Sequence, residues 1–120
     1  MEQVKEKKIT NDEKILGLIG FAARERKILA GKEGIRSYMK SDKKKKAVFL
    51  ASDISKKILE DYLKRATSSK TEIYIFSQTN IELLSMKMGK EQISGVAVED
   101  DFLLKEILKK IEEVNNCSDI

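Results

Sequence analysis

Ala47-Val48-Phe49-Leu50-Ala51, followed by Ser55 and then by Ile58, Leu59, Tyr62, Leu63 and Ala66, is the stretch on which the fold turns. Five apolar residues in succession have the length of a strand buried on both faces. Ser55 is suited to cap a helix, and the apolar residues after it recur at helical spacing. A buried strand feeding an amphipathic helix is one half of a crossover unit, and the chain repeats it on both sides.

Downstream, Glu72-Ile73-Tyr74-Ile75-Phe76 reads as a second strand. Thr79-Asn80-Ile81-Glu82 is a capping-box pattern opening a short helix that Gly89 can end. Gly95-Val96-Ala97-Val98 is a third buried strand, and Leu103, Leu104, Ile107, Leu108, Ile111 and Val114 form the apolar side of a closing helix. Upstream, Thr10-Asn11-Asp12-Glu13 is another capping-box pattern before Ile15, Leu16, Leu18, Ile19, Ala22 and Ala23. A short extended piece, Lys27-Ile28-Leu29-Ala30, leads through Gly31 to a helix with Ile35, Tyr38 and Met39 on one face, closed by Asp42 and four lysines. Alternating strands and helices predict an α/β fold, a three-layer α/β/α sandwich around a small sheet with right-handed crossovers. We expect one domain over residues 10–115, with residues 1–9 and 116–120 as flexible termini.

The 120 residues are 41% hydrophobic and 37% charged, enough for one compact core. No apolar run approaches the roughly 18 residues of a membrane helix, and the first ten residues are charged where a signal peptide is apolar. A cytoplasmic protein is expected. Cys117 is the only cysteine and sits in a polar tail, which excludes an intrachain disulfide and reads as a free surface thiol. There is no histidine, so most hydrolytic and metal chemistries lose their usual residues, and no enzyme activity, catalytic residue, metal or cofactor is expected. Gly31-Lys32-Glu33 resembles the end of a phosphate-binding loop, but Glu33 stands where Ser or Thr should hold magnesium and Arg26 where the earlier glycine should be. Glu99-Asp100-Asp101 could bind a metal, yet it directly precedes an apolar run, where acidic groups favour a helix start.

The net charge of +4 is unevenly spread: residues 1–70 hold 19 Lys/Arg against 10 Asp/Glu, and residues 71–120 hold 5 against 10. The densest part spans residues 24–46, where Arg24, Arg26, Lys27, Lys32, Arg36, Lys40 and Lys43 to Lys46 face only Glu25, Glu33 and Asp42. Such clustering suits the neutralisation of phosphates, here on the order of three to five, although a charge run can equally be a solvated face. The seven aromatics mostly occupy core-facing positions and form no platform for stacking single-stranded bases.

Ile15-Leu16-Gly17-Leu18, then residues 27–33, then Val48-Phe49-Leu50-Ala51-Ser52-Asp53, then residues 84–89 and 95–100, resemble the YlxQ-like branch of the kink-turn RNA-binding ribosomal protein superfamily, over residues 10–115. The resemblance implies a mixed four-stranded sheet between helices, with RNA bound at one end of the sandwich. It implies a turn at Gly31-Lys32-Glu33-Gly34 that presents amides and side chains to RNA at a helix N-terminus. It further implies that the loop over residues 89–94 packs an apolar residue, Ile93, against an extruded base. Structured RNA, ribosomal RNA included, is the implied partner.

The pattern is incomplete. Glu33 and Gly34 stand where the family usually has Asn-Glu, and Ser37 where it has a lysine, with Arg36 and Lys40 near enough to compensate. Ser85 and Met86 replace the usual Gly and Lys. The RNA-binding set is therefore Lys27, Gly31, Lys32, Glu33, Gly34, Arg36, Ser37, Lys40 and Ile93. Two other classes stay open: a protein-interaction module on the same fold with an incidental basic surface, and a small-molecule site or enzyme at the sheet end, for which no convergent polar set is visible.

Overall fold

The computed structural model describes the backbone of residues 3–117 and the side chains of residues 3–113. The Val114 side chain and the Cys117 thiol thus lie outside the described residues. Strands and helices alternate: β1 (Lys7–Ile9), α1 (Asp12–Arg24), β2 (Ile28–Ala30), α2 (Lys32–Lys40), β3 (Ala47–Leu50), α3 (Lys56–Ser69), β4 (Glu72–Phe76), α4 (Ile81–Met88), β5 (Gly95–Val98) and α5 (Asp101–Cys117). The sheet order is β1-β4-β3-β5-β2. β4 is parallel to β1 and β3, whereas β5 is antiparallel to β3 and β2.

The sheet is mixed, but it has five strands where four were expected, and the fifth comes from residues expected to fray. Ile9 is fully buried while Lys7 and Lys8 are exposed, so β1 offers one apolar anchor. One anchor leaves no periodicity to read. β1 is held by its register on Tyr74–Phe76, by the Ser77 hydroxyl donating to the Ile9 carbonyl, and by Val4 N–H donating to Thr67 Oγ1 at 2.9 Å. At the other terminus the backbone of residues 115–117 continues α5.

Strand alternation sorts the core into two layers. Ala47 and Phe49, Tyr74 and Phe76, and Val96 and Val98 face α1, α4 and α5, where Ile15, Ile19, Leu84, Leu104 and Ile107 meet them. Val48, Leu50, Ile73 and Ala97 face α2 and α3, against Ile35, Tyr38, Met39, Tyr62 and Ala66. This is the expected α/β/α sandwich. Gly95 permits the second layer to close: a Cβ there would lie 2.6 Å from Leu50 Cδ2 and 3.3 Å from the Phe49 carbonyl oxygen.

Both capping boxes resolve differently from their sequence reading. α1 begins at Asp12 with Asn11 as N-cap and no side-chain cap, because Asp12 is used at long range. Its carboxylate accepts from Ser77 N–H (3.2 Å), Gln78 N–H (2.7 Å) and the Thr79 hydroxyl (2.8 Å). With Thr79 so engaged, Asn80 caps α4 by accepting from Leu83 N–H at 2.8 Å. Ser55 caps α3 and Asp100 caps α5, as their positions predict. Among the described residues, no helix is long and apolar enough to cross a membrane.

Candidate nucleic-acid interface

β2 ends in Gly31, whose φ of +89° is a conformation that residues with a Cβ rarely adopt. The chain thereby turns from the sheet straight into α2. Lys32, Glu33 and Gly34, read as parts of the turn, form the first helical turn. No side chain caps this N-terminus, so its amides are open to an outside acceptor and the helix dipole favours an anion there. By contrast α3, α4 and α5 are capped by their own side chains.

The sheet end at which α2 starts is also the carboxyl end of β3 and the start of β5, since Leu50 pairs with Gly95 and Ala30 with Val96. The loops there are cross-tied. Ser52 N–H donates to the Thr79 carbonyl at 2.7 Å, Ala51 N–H to the Ser94 carbonyl at 2.9 Å, and Ile81 N–H to Asp53 Oδ1 at 2.8 Å. Gly89, at φ +67°, ends α4 as expected. The Ser85 hydroxyl accepts from Ile93 N–H at 2.8 Å and donates to the Ile81 carbonyl at 2.6 Å, fixing the 89–94 loop to α4.

A groove of about 630 Å³ opens between α2, α3 and this loop. Gly31, Lys32 and Arg36 line one wall, Lys57, Ile58, Lys64 and Arg65 with the carboxylates of Glu60 and Asp61 the other, and Tyr62, Ile93 and Ser94 the floor. Arg65 is paired with Asp61 at 3.1 Å. Among the described residues no ion pair engages Lys32, Arg36, Lys57 or Lys64. Burial pushes the Tyr62 hydroxyl above its ordinary pKa, with the neighbouring Ser94 and Arg36 pulling the other way, so it is a neutral hydrogen-bonding group at physiological pH.

The residues expected to bind RNA divide. Gly31, Lys32 and Arg36 come together in the groove, Glu33 and Gly34 share the first turn of α2 without lining it, and Ser37 is exposed on the next turn. Lys40 is exposed at the far end of α2 and shares a smaller depression with Arg36 and Arg65 along the α2–α3 seam. Lys27 does not join them: it precedes β2, at the opposite end of the sheet, where its ammonium lies 3.1 Å from Asp100. Ile93 is only 7% exposed and belongs to the core, so it shows the groove an edge of its side chain and no free face. The apolar side chain exposed in the groove is Ile58, at 42%.

The basic segment is likewise no single surface. Lys43 reaches Asp101 at 3.3 Å and the Glu99 carbonyl at 3.1 Å, and Lys45 reaches Glu72 at 3.3 Å. Lys46 is buried and donates to the carbonyls of Met39 (2.5 Å) and Ser41 (2.9 Å), closing the C-terminal end of α2. These lysines sit beyond the amino end of β3, across the sheet from Gly31. Their place at the groove is taken by Lys57 and Lys64 of α3, a contribution missed in the sequence. The available signal was the i, i+7 spacing of these two lysines beside the apolar face at Ile58, Tyr62 and Ala66.

A model of the ribosomal protein L7Ae/L30e/S12e/Gadd45 family matches residues 13–108. The chain belongs to this family. Two solved structures share the L7Ae-type fold. A protein of unknown function from Bacillus halodurans C superimposes with a TM-score of 0.70 at 24% identity, covering 82% of this chain and 97% of its own. A 15.5kD RNA binding protein from Giardia lamblia gives 0.64 at 14% identity, covering 85% and 88%. No curated protein matches the chain.

Proposed function

We propose that the chain is a single-domain, cytoplasmic, non-catalytic protein of the YlxQ-like branch that grips structured RNA of the kink-turn type, ribosomal RNA being the natural source. The observation that carries this reading is the uncapped N-terminus of α2 behind Gly31, set beside Lys32, Arg36, Lys57 and Lys64. Open amides and a positive helix end hold one phosphate, and four ammonium or guanidinium groups hold its neighbours, which meets the expected three to five phosphate contacts. RNA of stable shape fits such a rigid, cross-tied end better than a flexible strand does, since exposed aromatics for stacking are missing from the groove.

Selectivity is modest in this reading. Glu33 is exposed in the first turn of α2 and Gly34 has no side chain, so the usual Asn-Glu contacts to base edges are absent, and Ser37 cannot supply the lysine's charge. A well-made base contact is worth roughly 1–3 kcal/mol, so losing one or two leaves a preference of about threefold to a hundredfold. The test is a titration at fixed moderate salt of a kink-turn RNA and of a matched duplex whose sheared G·A pairs are replaced by Watson–Crick pairs. A preference within that range supports the reading. Equal binding removes the kink-turn as the target, and no binding to either RNA removes the function.

The rival reading, a protein-interaction module, draws on Met86 and Phe102, exposed at 67% and 70% on α4 and α5. It predicts complexes with protein that form in the absence of RNA.

A further inference from the structure

At the amino ends of β4 and β3, across the sheet from the groove, lies a second cationic surface. Lys5, Lys7 and Lys70 line an open depression of about 390 Å³ with Thr67, Thr71 and Glu72. Lys7 and Lys45 both approach Glu72 Oε1 at 3.3 Å, so one carboxylate answers four ammonium groups. Lys8 and Lys44 are exposed beside them in the chain, and Glu6 is the nearest further anion in sequence. Lys70 adopts a left-handed φ of +56° as C-cap of α3, a position where glycine is the unstrained choice.

We infer that this face binds the phosphate backbone of a second RNA segment, so that the protein bridges two pieces of RNA held at opposite ends of its sheet. The inference rests on the proposed RNA-binding function and extends it to a new surface. Its side chains are lysines, compact charges suited to phosphates and without a preferred planar partner. A protein partner would need a buried aromatic or aliphatic anchor. The large hydrophobics exposed among the described residues, Phe21, Ile58, Met86 and Phe102, lie on α1, at the start of α3, on α4 and at the start of α5, and none lines this depression, whose apolar side chain is Val4, already packed against the second core layer. From Lys45 to Ala51 the chain advances by roughly 3.3 Å per residue, about 20 Å in all, so one phosphate cannot touch both surfaces.

The experiment uses the full chain and two probes. The protein is first loaded with one equivalent of kink-turn RNA, then titrated with a short, unkinked RNA duplex at low salt, for wild type and for the double variant Lys5→Gln/Lys70→Gly. Wild type should take up a second RNA. The variant should bind the first RNA within twofold of wild type but show weaker uptake of the second, with a salt slope reduced by nearly two from the loss of two phosphate contacts at about 0.9 each. Because glycine relieves the left-handed strain at position 70, the variant's melting temperature should be unchanged or raised, which separates loss of charge from loss of fold.

The inference is overturned if wild type takes up no second RNA while binding the first, if the variant takes it up as wild type does, or if polyglutamate of matched charge competes as well as the duplex. Failure to bind the kink-turn RNA would instead strike the proposed function. The duplex is then titrated onto the unloaded protein, where binding lost in the double variant supports the second surface and binding unaffected by it overturns it.

Discussion

Lys46 reads in the sequence as one more cation in a run of four, and it is buried with its ammonium on two carbonyls of the α2 terminus. Lys46→Met keeps the aliphatic stem and leaves those carbonyls unpaired. Denaturant unfolding should show a loss of about 1–3 kcal/mol, while the folded variant keeps wild-type affinity for RNA. Weaker RNA binding without a stability loss would mean that the lysine faces solvent and phosphate. Composition cannot distinguish such a lysine from its neighbours Lys43 and Lys45, because the carbonyls and carboxylates they meet are between 5 and 58 residues away. The same holds for Ile93. Its place in a loop suggested exposure, and the Ser85 hydroxyl that pins its backbone shows only in three dimensions.

Secondary structure was legible wherever apolar periodicity or a cap marked it, as at β3, Ser55 and Gly89. β1 was not, because a strand of three residues with one buried side chain carries no pattern and is defined by its neighbour. Its attachment is partly electrostatic. Burial pushes the Glu72 carboxyl up, but Lys7, Lys45 and the Tyr74 hydroxyl outweigh it and hold the group below its ordinary value. A carboxylate depressed on folding stabilises the fold above its unfolded pKa, near 4.3, and that contribution fades as pH falls through the lower folded value. Glu72→Gln should therefore cost stability at neutral pH and flatten the acid limb of the stability curve. A curve with the wild-type slope below pH 5 would show that the lysines do not act on Glu72 (about pH 5 being the upper edge of carboxylate titration). At half exposure the lysines are partly screened by water, so the effect on the melting point should be small.

Over the molecule as a whole, the sandwich and its two-layer core follow from strand alternation. The placement of charge does not. The cationic first half of the chain is dealt to both ends of the sheet because β3 runs from one to the other: Lys43 to Lys46, directly before it, go to one end, and Gly31, Lys32, Lys57 and Lys64 to the other. Lys27 was misplaced for the same reason, since three residues of β2 separate it from Gly31.

The measurement that reaches furthest is an amide chemical-shift titration of the uniformly labelled chain with one equivalent of kink-turn RNA at moderate salt. Binding at the groove requires the largest changes at Gly31, Lys32, Glu33, Ser94 and Gly95, with little movement at Lys27, Lys43 and Lys45. Changes centred on those three lysines, with Gly31 to Glu33 unmoved, would contradict it.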